Sequence, residues 1–261
     1  METASLQSKL ERYLAEVSGT VCLAFQDLTT GEQFSINGDR SVHSASTIKL
    51  VIMAELMARV SAGSLSLDQT ITVTAEMKTG GDGILKELEP GHSFSLKEIM
   101  TLMIIVSDNQ ATNILIDLLG MEAINARAKA MGLRNTILGR KMMDSEARKQ
   151  GRDNYISAED MASILRSIHD GTLINAEASK LMLEILLRQQ QSGRLQLYLS
   201  EEVPVAHKCG DLDNLENDGG IIYAEDHPYI LVVLTSSMPS NKEGREVIGN
   251  ISKMVYDSIR S

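Results

Sequence analysis

The stretch from Ile48 to Val60 constrains the fold more than any other part of the chain. Ile48, Leu50, Val51, Ile52, Ala54, Leu56, Met57 and Val60 run almost without polar interruption. That pattern predicts a helix buried on most sides, with other elements wrapped around it. Lys49 stands in its first turn, and an ammonium is costly to desolvate, so a lysine here needs a reason. Ser46 lies three residues earlier. At i,i+3 the two side chains share a face, about 5–6 Å apart at Cβ, close enough for an amine to take a hydroxyl proton. A serine at a helix start also lies where free backbone N–H groups can hold an oxyanion. Taken alone, Ser-x-x-Lys is expected by chance in a chain of 261 residues, and a serine there can be a plain helix cap.

Composition narrows the context. With 43% hydrophobic and 23% charged residues the chain is long enough for one sizeable core or two closely joined lobes. A net charge of -10 and a pI near 5.0 disfavour nucleic acid and anionic membrane surfaces as partners. Cys22 and Cys209 have no metal-ligand spacing, and His43, His92, His169, His207 and His227 form no ligand pair, so neither a metal nor a cofactor is expected. No apolar run has the length of a membrane span. The start Met1-Glu2-Thr3-Ala4-Ser5 lacks the basic and apolar regions of a signal peptide. As written the chain is expected in the cytoplasm; a leader preceding it would make it an exported protein. A monomer is the expected state.

Leu6, Leu10, Tyr13, Leu14 and Val17 predict an amphipathic first helix, and Thr20 to Asp27 with Gln33 to Ile36 predict a β-hairpin. Helices are predicted at Ser95 to Val106, from Ala111 onward, at Met121 to Met131, Ser157 to His169 and Ala176 to Leu187. Lys78 to Gly83 is a glycine-rich loop, and Leu133 to Tyr155 is a long polar connection of the kind that is often functional. The period then changes: Val203 to Cys209, Gly220 to Ala224 and Tyr229 to Ser236 read as short strands, and Lys242 to Ile259 as a last helix. The result is an α/β (α+β) fold with one antiparallel sheet of about five strands, terminal helices on one face and an all-helical lobe on the other. The expected mixed lobe takes residues 1–42 and 198–261, and the helical lobe residues 43–197.

Three short motifs stand in order: Ser46-x-x-Lys49, Ser107-Asp108-Asn109 and Lys208-Cys209-Gly210. Together with the element order they resemble the class A β-lactamases and penicillin-binding proteins, whose signature is S-x-x-K, S-D-N and K-T-G. The literal Lys78-Thr79-Gly80 is a decoy, since it precedes the second motif and lies in a loop. The resemblance implies a β-lactamase-like fold and a site between the lobes. It makes Ser46 the nucleophile and Lys49 its base, with burial and the Lys208 ammonium depressing the lysine pKa. Ser107 would relay a proton to the leaving nitrogen, and Asn109 would hold the substrate's amide. Backbone N–H groups of Ser46 and Asp211 would bind the oxyanion, Cys209 and Gly210 would line the substrate site, and Asp108 would be structural. The substrate would be a small molecule or peptide, with β-lactams among the candidates.

Three departures qualify that activity. Arg140 aligns with the arginine that opens the family's long loop, yet Met142 stands where its water-activating glutamate belongs. Asp144 and Glu146 are the nearest acids that could replace it, and Asp153 is placed to pair with Arg140. Cys209 replaces a hydroxyl residue, and Gly219 stands near where many class A enzymes carry an arginine. Acylation is therefore expected, with slow deacylation. The alternatives are a peptidase, amidase or esterase acting on a non-lactam substrate, and a penicillin-binding or sensing module acylated without turnover.

Overall fold

Along Thr20–Asp27 (β1) successive side chains turn to opposite faces, and both faces are buried. Cys22 and Ala24 join one apolar cluster; Val21, Leu23 and Phe25 join another. A strand covered on both sides must lie inside a three-layer arrangement. The computed structural model, which describes residues 3–225 and 227–260, shows those layers. Met1 and Glu2, the start of the segment read for a signal peptide, lie outside the described residues.

The chain begins with helix Thr3–Leu14 (α1), then β1 and Gln33–Ile36 (β2), and a short strand Val42–His43 (β3). A 3-10 turn, Ala45–Ile48, runs directly into the apolar helix Lys49–Ser61 (α2). Thr70–Thr72 (β4) and Ser93–Ser95 (β5) precede helices Leu96–Ile105 (α3), Asn109–Leu119 (α4) and Met121–Ala130 (α5). The long polar connection holds a short helix, Ser145–Lys149 (α6), and a strand, Tyr155–Ile156 (β6). Helices Ala158–His169 (α7) and Ala176–Leu186 (α8) follow, then strands Val205–Leu212 (β7), Leu215–Ala224 (β8) and His227–Ser236 (β9), and helix Asn241–Ile259 (α9).

The main sheet is antiparallel in the order β2-β1-β9-β8-β7, so the first and last parts of the chain share it and β7 is an edge strand. Leu6 and Leu10 of α1 and Val247, Ile248, Ile251 and Val255 of α9 cover one face. On the other face α7 packs against β1, β8 and β9. Residues Leu50 to Leu56 of α2 are all buried, as the unbroken apolar run required, with α3, α4, α5 and α8 around it. Among the described residues no helix is long and apolar enough to cross a membrane.

The structure departs from the sequence expectation at specific places. β3 pairs with β6 and β4 with β5, and strands of two or three residues are too short to display a period. β7 runs three residues further than expected, and β8 begins five residues earlier, at Leu215. The added part of β8 includes Glu216, Asn217 and Asp218, polar residues that read as a turn but are completely buried. They stay in the strand because each finds partners, described below.

Candidate active site

Ser46 sits in the 3-10 turn just ahead of α2, 9% exposed, and faces a cleft of about 360 Å³. The turn is held from the sheet. Asn217 of β8 donates from Nδ2 to the carbonyls of His43, at 2.9 Å, and Ser44, at 3.3 Å, while its Oδ1 accepts from the Thr235 N–H at 3.1 Å. Ala45 adopts a left-handed φ of 47°, so the chain bends sharply into Ser46. Strand β7 passes so close that a Cβ on Gly210 would collide with the Ser46 backbone nitrogen. Glycine is required there for space.

Lys49 is fully buried. Its Nζ lies 2.7 Å from the Ser107 carbonyl, 3.0 Å from Ser107 Oγ and 3.0 Å from Asn109 Oδ1. None of these bonds reaches Ser46. Lys208, also fully buried, donates from Nζ to Ser107 Oγ at 3.2 Å and to the Cys209 carbonyl at 2.6 Å. Burial, and then the Lys208 charge, hold the Lys49 pKa well below the usual lysine value; burial also lowers that of Lys208. A neutral Lys49 satisfies all three contacts, giving its two protons to the Ser107 carbonyl and Asn109 Oδ1 and receiving the Ser107 hydroxyl proton. The Lys208 ammonium favours that orientation by donating to the same Ser107 oxygen. Ser107 itself has a left-handed φ of 55°, an unfavourable backbone for a serine and the one that points its hydroxyl between two lysines.

Asp108 caps α4 by accepting from the Ala111 N–H at 2.8 Å and holds the Ile84 and Leu85 N–H groups at 2.7 and 2.9 Å. It braces the loop that forms one wall of the cleft. Asn109 donates from Nδ2 to the Gly80 carbonyl at 3.2 Å, so the Lys78-Thr79-Gly80 segment, off the strand, still touches the site. Gly81 and Asp82 line the same wall.

The long loop supplies the opposite wall. Arg140 Nε binds Asp153 Oδ1 at 2.7 Å, and both line the cleft with Met142 and Met143. Met142 is buried and brings only a thioether. The two acids proposed to replace the missing glutamate are not brought to the cleft. Asp144 spends its carboxylate as the cap of α6, accepting from the Ala147 N–H at 2.9 Å, and Glu146, 73% exposed, pairs with Lys149 at 2.7 Å. The helix that intervenes in the loop turns both away.

Cys209 is buried with its thiol toward Gln191 Oε1 at 3.2 Å, and burial raises its pKa. Gly219 pairs with Lys208 across the strands, and a side chain on it would meet Met161 Sδ at 2.8 Å, so the space is already filled. Asp211 lines the cleft rim and pairs with Arg194 Nη2 at 2.6 Å. Arg194, which the sequence did not single out, is 6% exposed and also binds Glu216 Oε2 at 2.6 Å. Glu216 further accepts from Arg245 and Asn241, each at 2.9 Å, and Asp218 is held by His207 Nδ1 at 2.9 Å. These pairs explain the buried polar half of β8. Among the described residues no group of three or more His, Cys, Asp or Glu side chains is placed to hold a metal ion.

The sequence profile described as the β-lactamase enzyme family matches residues 5–259. The chain belongs to that family. β-Lactamases of Bacteroides uniformis and Rhodobacter capsulatus are 24% and 26% identical to it; the alignments cover 99% and 98% of this chain and 93% and 89% of theirs. The solved β-lactamase of Sphaerobacter thermophilus superposes with a TM-score of 0.90 at 29% identity, covering 100% of this chain and 98% of that one. PBP-A superposes with a TM-score of 0.90 at 27% identity, over 98% and 96% of the two chains. The protein is thus a β-lactamase-like serine hydrolase with the sheet and helices of that fold.

Proposed function

We propose that this protein is of the class A type and forms an acyl-enzyme on Ser46 with β-lactams, and that it releases the adduct slowly. The observation that carries the proposal is the fully buried Lys49, joined through the Ser107 hydroxyl to a second buried lysine, Lys208, at the edge of a cleft opened by Ser46. Such an arrangement favours a neutral amine, which is what a serine needs as its base.

In the proposed reaction Ser46 Oγ attacks the lactam carbonyl and its proton passes to Lys49. Lys49 turns from Ser107 toward Ser46 as substrate enters, since catalytic hydrogen bonds commonly tighten only in the complex. The oxyanion is held by the N–H groups of Ser46 and Asp211, the latter on edge strand β7, where alternate N–H groups have no strand partner. The carbon–nitrogen bond breaks as Ser107 gives its proton to the leaving nitrogen and recovers one from Lys49. Asn109 binds the substrate's side-chain amide by exchanging its Gly80 contact for it, and Asp211 and Leu212 form the strand wall, with Gly210 against the Ser46 backbone and Cys209, expected at the substrate, turned instead to Gln191.

Hydrolysis of the ester requires a water and a base, and Met142 provides neither charge nor proton acceptor. This favours a second reading, a penicillin-binding or sensing module that is acylated without turnover. A variant of PBP-A, 26% identical, has a structure described as its acyl-enzyme with penicillin G. An intact-mass time course with penicillin G and a chromogenic cephalosporin tests both readings. A long-lived adduct that is absent from Ser46→Ala supports slow deacylation. A transient adduct with product release means an efficient β-lactamase, and an adduct that survives Ser46→Ala overturns the nucleophile.

A further inference from the structure

The cleft does not end at the tip of the β7–β8 hairpin. Leu212 and Asp213 line both it and a second groove of about 500 Å³, whose walls include Arg40, His43, Arg148 and Tyr155. We propose that this groove receives the carboxylate at the far end of an extended acyl chain on the substrate. The proposal rests on the cleft being the acyl-transfer site and goes on to name the substrate class.

Charge distribution points to an anion. The chain carries a net charge of -10, and Asp82, Asp153, Asp211 and Asp213 line the cleft itself, yet two arginines meet in the adjoining groove. Their charge is largely unspent. Arg40 makes no ion pair among the described residues, and Arg148, 57% exposed, reaches Asp153 Oδ2 only at 3.5 Å. By contrast Arg140, on the cleft side, binds the same carboxylate at 2.7 Å. The aromatic wall is packed: the His43 and Tyr155 rings meet at a tilt of 42° with centroids 4.8 Å apart, and the buried His43 Nδ1 has no hydrogen-bond partner among the described residues. His43 is three residues from Ser46, and Asn217 holds its carbonyl, so groove and nucleophile share one rigid turn.

Asp213 stands on the saddle between cleft and groove. It disfavours a negative charge there, so an uncharged spacer must carry the carboxylate past it to the arginines. A forked guanidinium suits a carboxylate, and a charge-assisted bond of this kind corresponds to roughly a tenfold or greater affinity gain over the neutral amide.

The test uses penicillins N-acylated with succinyl, glutaryl and suberyl chains, each beside its terminal carboxamide, and titrates them against Ser46→Ala by calorimetry. The expected result is tighter binding of a carboxylate than of its carboxamide by about tenfold, strongest for a longer spacer and weakened by salt. Arg40→Glu in the Ser46→Ala background should abolish or reverse the preference, and Arg148→Gln should reduce it; circular dichroism checks that each variant is folded. Equal affinity for the two ends, no binding of either, or a preference untouched by both arginine variants overturns the proposal. Acylation of the native protein by the same compounds separates the two readings. A carboxylate preference without any Ser46 adduct sinks the acyl-transfer reading and leaves the groove, whereas adduct formation without preference does the opposite.

Discussion

Asn113 and Met142 grip each other through both ends of one carboxamide: Asn113 Oδ1 accepts the Met142 N–H at 2.8 Å, and Asn113 Nδ2 donates to the Met142 carbonyl at 3.1 Å. The backbone at this point of the cleft wall is therefore set by α4, and only the side chain is left to decide the chemistry beside Ser46. Met142→Glu should place a carboxylate on a ready-made support and shorten the life of the acyl adduct roughly 100-fold or more. Intact-mass kinetics after a penicillin pulse measures this, and an unchanged lifetime would show that the loop does not present position 142 to the ester.

Lys208 is one of the causes of the depressed Lys49 pKa. In the proposed reaction the neutral amine is the competent form, so acylation should rise with pH through the Lys49 pKa and then level off, well below the pH at which a free lysine titrates. Removing the neighbouring ammonium makes the charged form of Lys49 less unfavourable. Lys208→Gln should therefore shift the acid limb of the acylation profile to higher pH. A limb that stays in place, or moves to lower pH, contradicts the coupling.

Gly210 leaves no room for a methyl group against the Ser46 nitrogen. Gly210→Ala should push β7 away from the turn and spoil the proposed oxyanion donors, lowering acylation roughly 100-fold or more while the circular dichroism spectrum stays native. Wild-type acylation rates in this variant would mean that strand and turn are not held together in solution.

Arg194 compensates the completely buried Glu216 and the rim residue Asp211. Arg194→Leu leaves Glu216 with only Arg245 and Asn241, so unfolding free energy should drop by about 3–5 kcal/mol in denaturant titration. A combined Arg194→Leu and Glu216→Leu protein should recover much of that loss. A single variant as stable as the parent would remove Arg194 from the framework.

Asn217 joins the sheet to the turn that carries Ser46. Asn217→Ala leaves buried carbonyls and an N–H unpaired, and should cost about 1–3 kcal/mol of stability along with slower acylation. Loss of stability with an unchanged acylation rate would show that the turn keeps its shape without the asparagine.

Much of this molecule is written locally. The apolar run after Lys49 needed neighbours on all sides and has them; β1 and β2 and the terminal helices follow from period and turn residues. Ser46, Lys49, Ser107, Asn109, Lys208 and Gly210 stand in three short motifs, and the fold brings them together: Ser46 and Asn109 line the cleft, Lys49, Ser107 and Lys208 are hydrogen-bonded behind it, and Gly210 lies against the Ser46 backbone. The acids Asp144 and Glu146 were misplaced because distance along the chain is a poor guide across a loop that contains a helix. Burial of Glu216, Asn217 and Asp218 could not be read from their residue types, which signal a turn unless Arg194, Arg245, His207 and two backbone carbonyls are known to await them.

The sequence by itself determined the long helices and the strands of the main sheet, the three motifs in their order, and that a thioether, Met142, follows Arg140 in the long loop. Tertiary structure alone decided that Lys49 bonds to Ser107 and Asn109 in the resting state, that Asn113 clamps Met142, and that two arginines far apart in the chain line a groove beside the cleft. The physical reason is one of range. Propensity, capping and periodicity act over a few neighbouring residues, whereas the burial and charge around a side chain are set by whatever distant segments the fold packs against it.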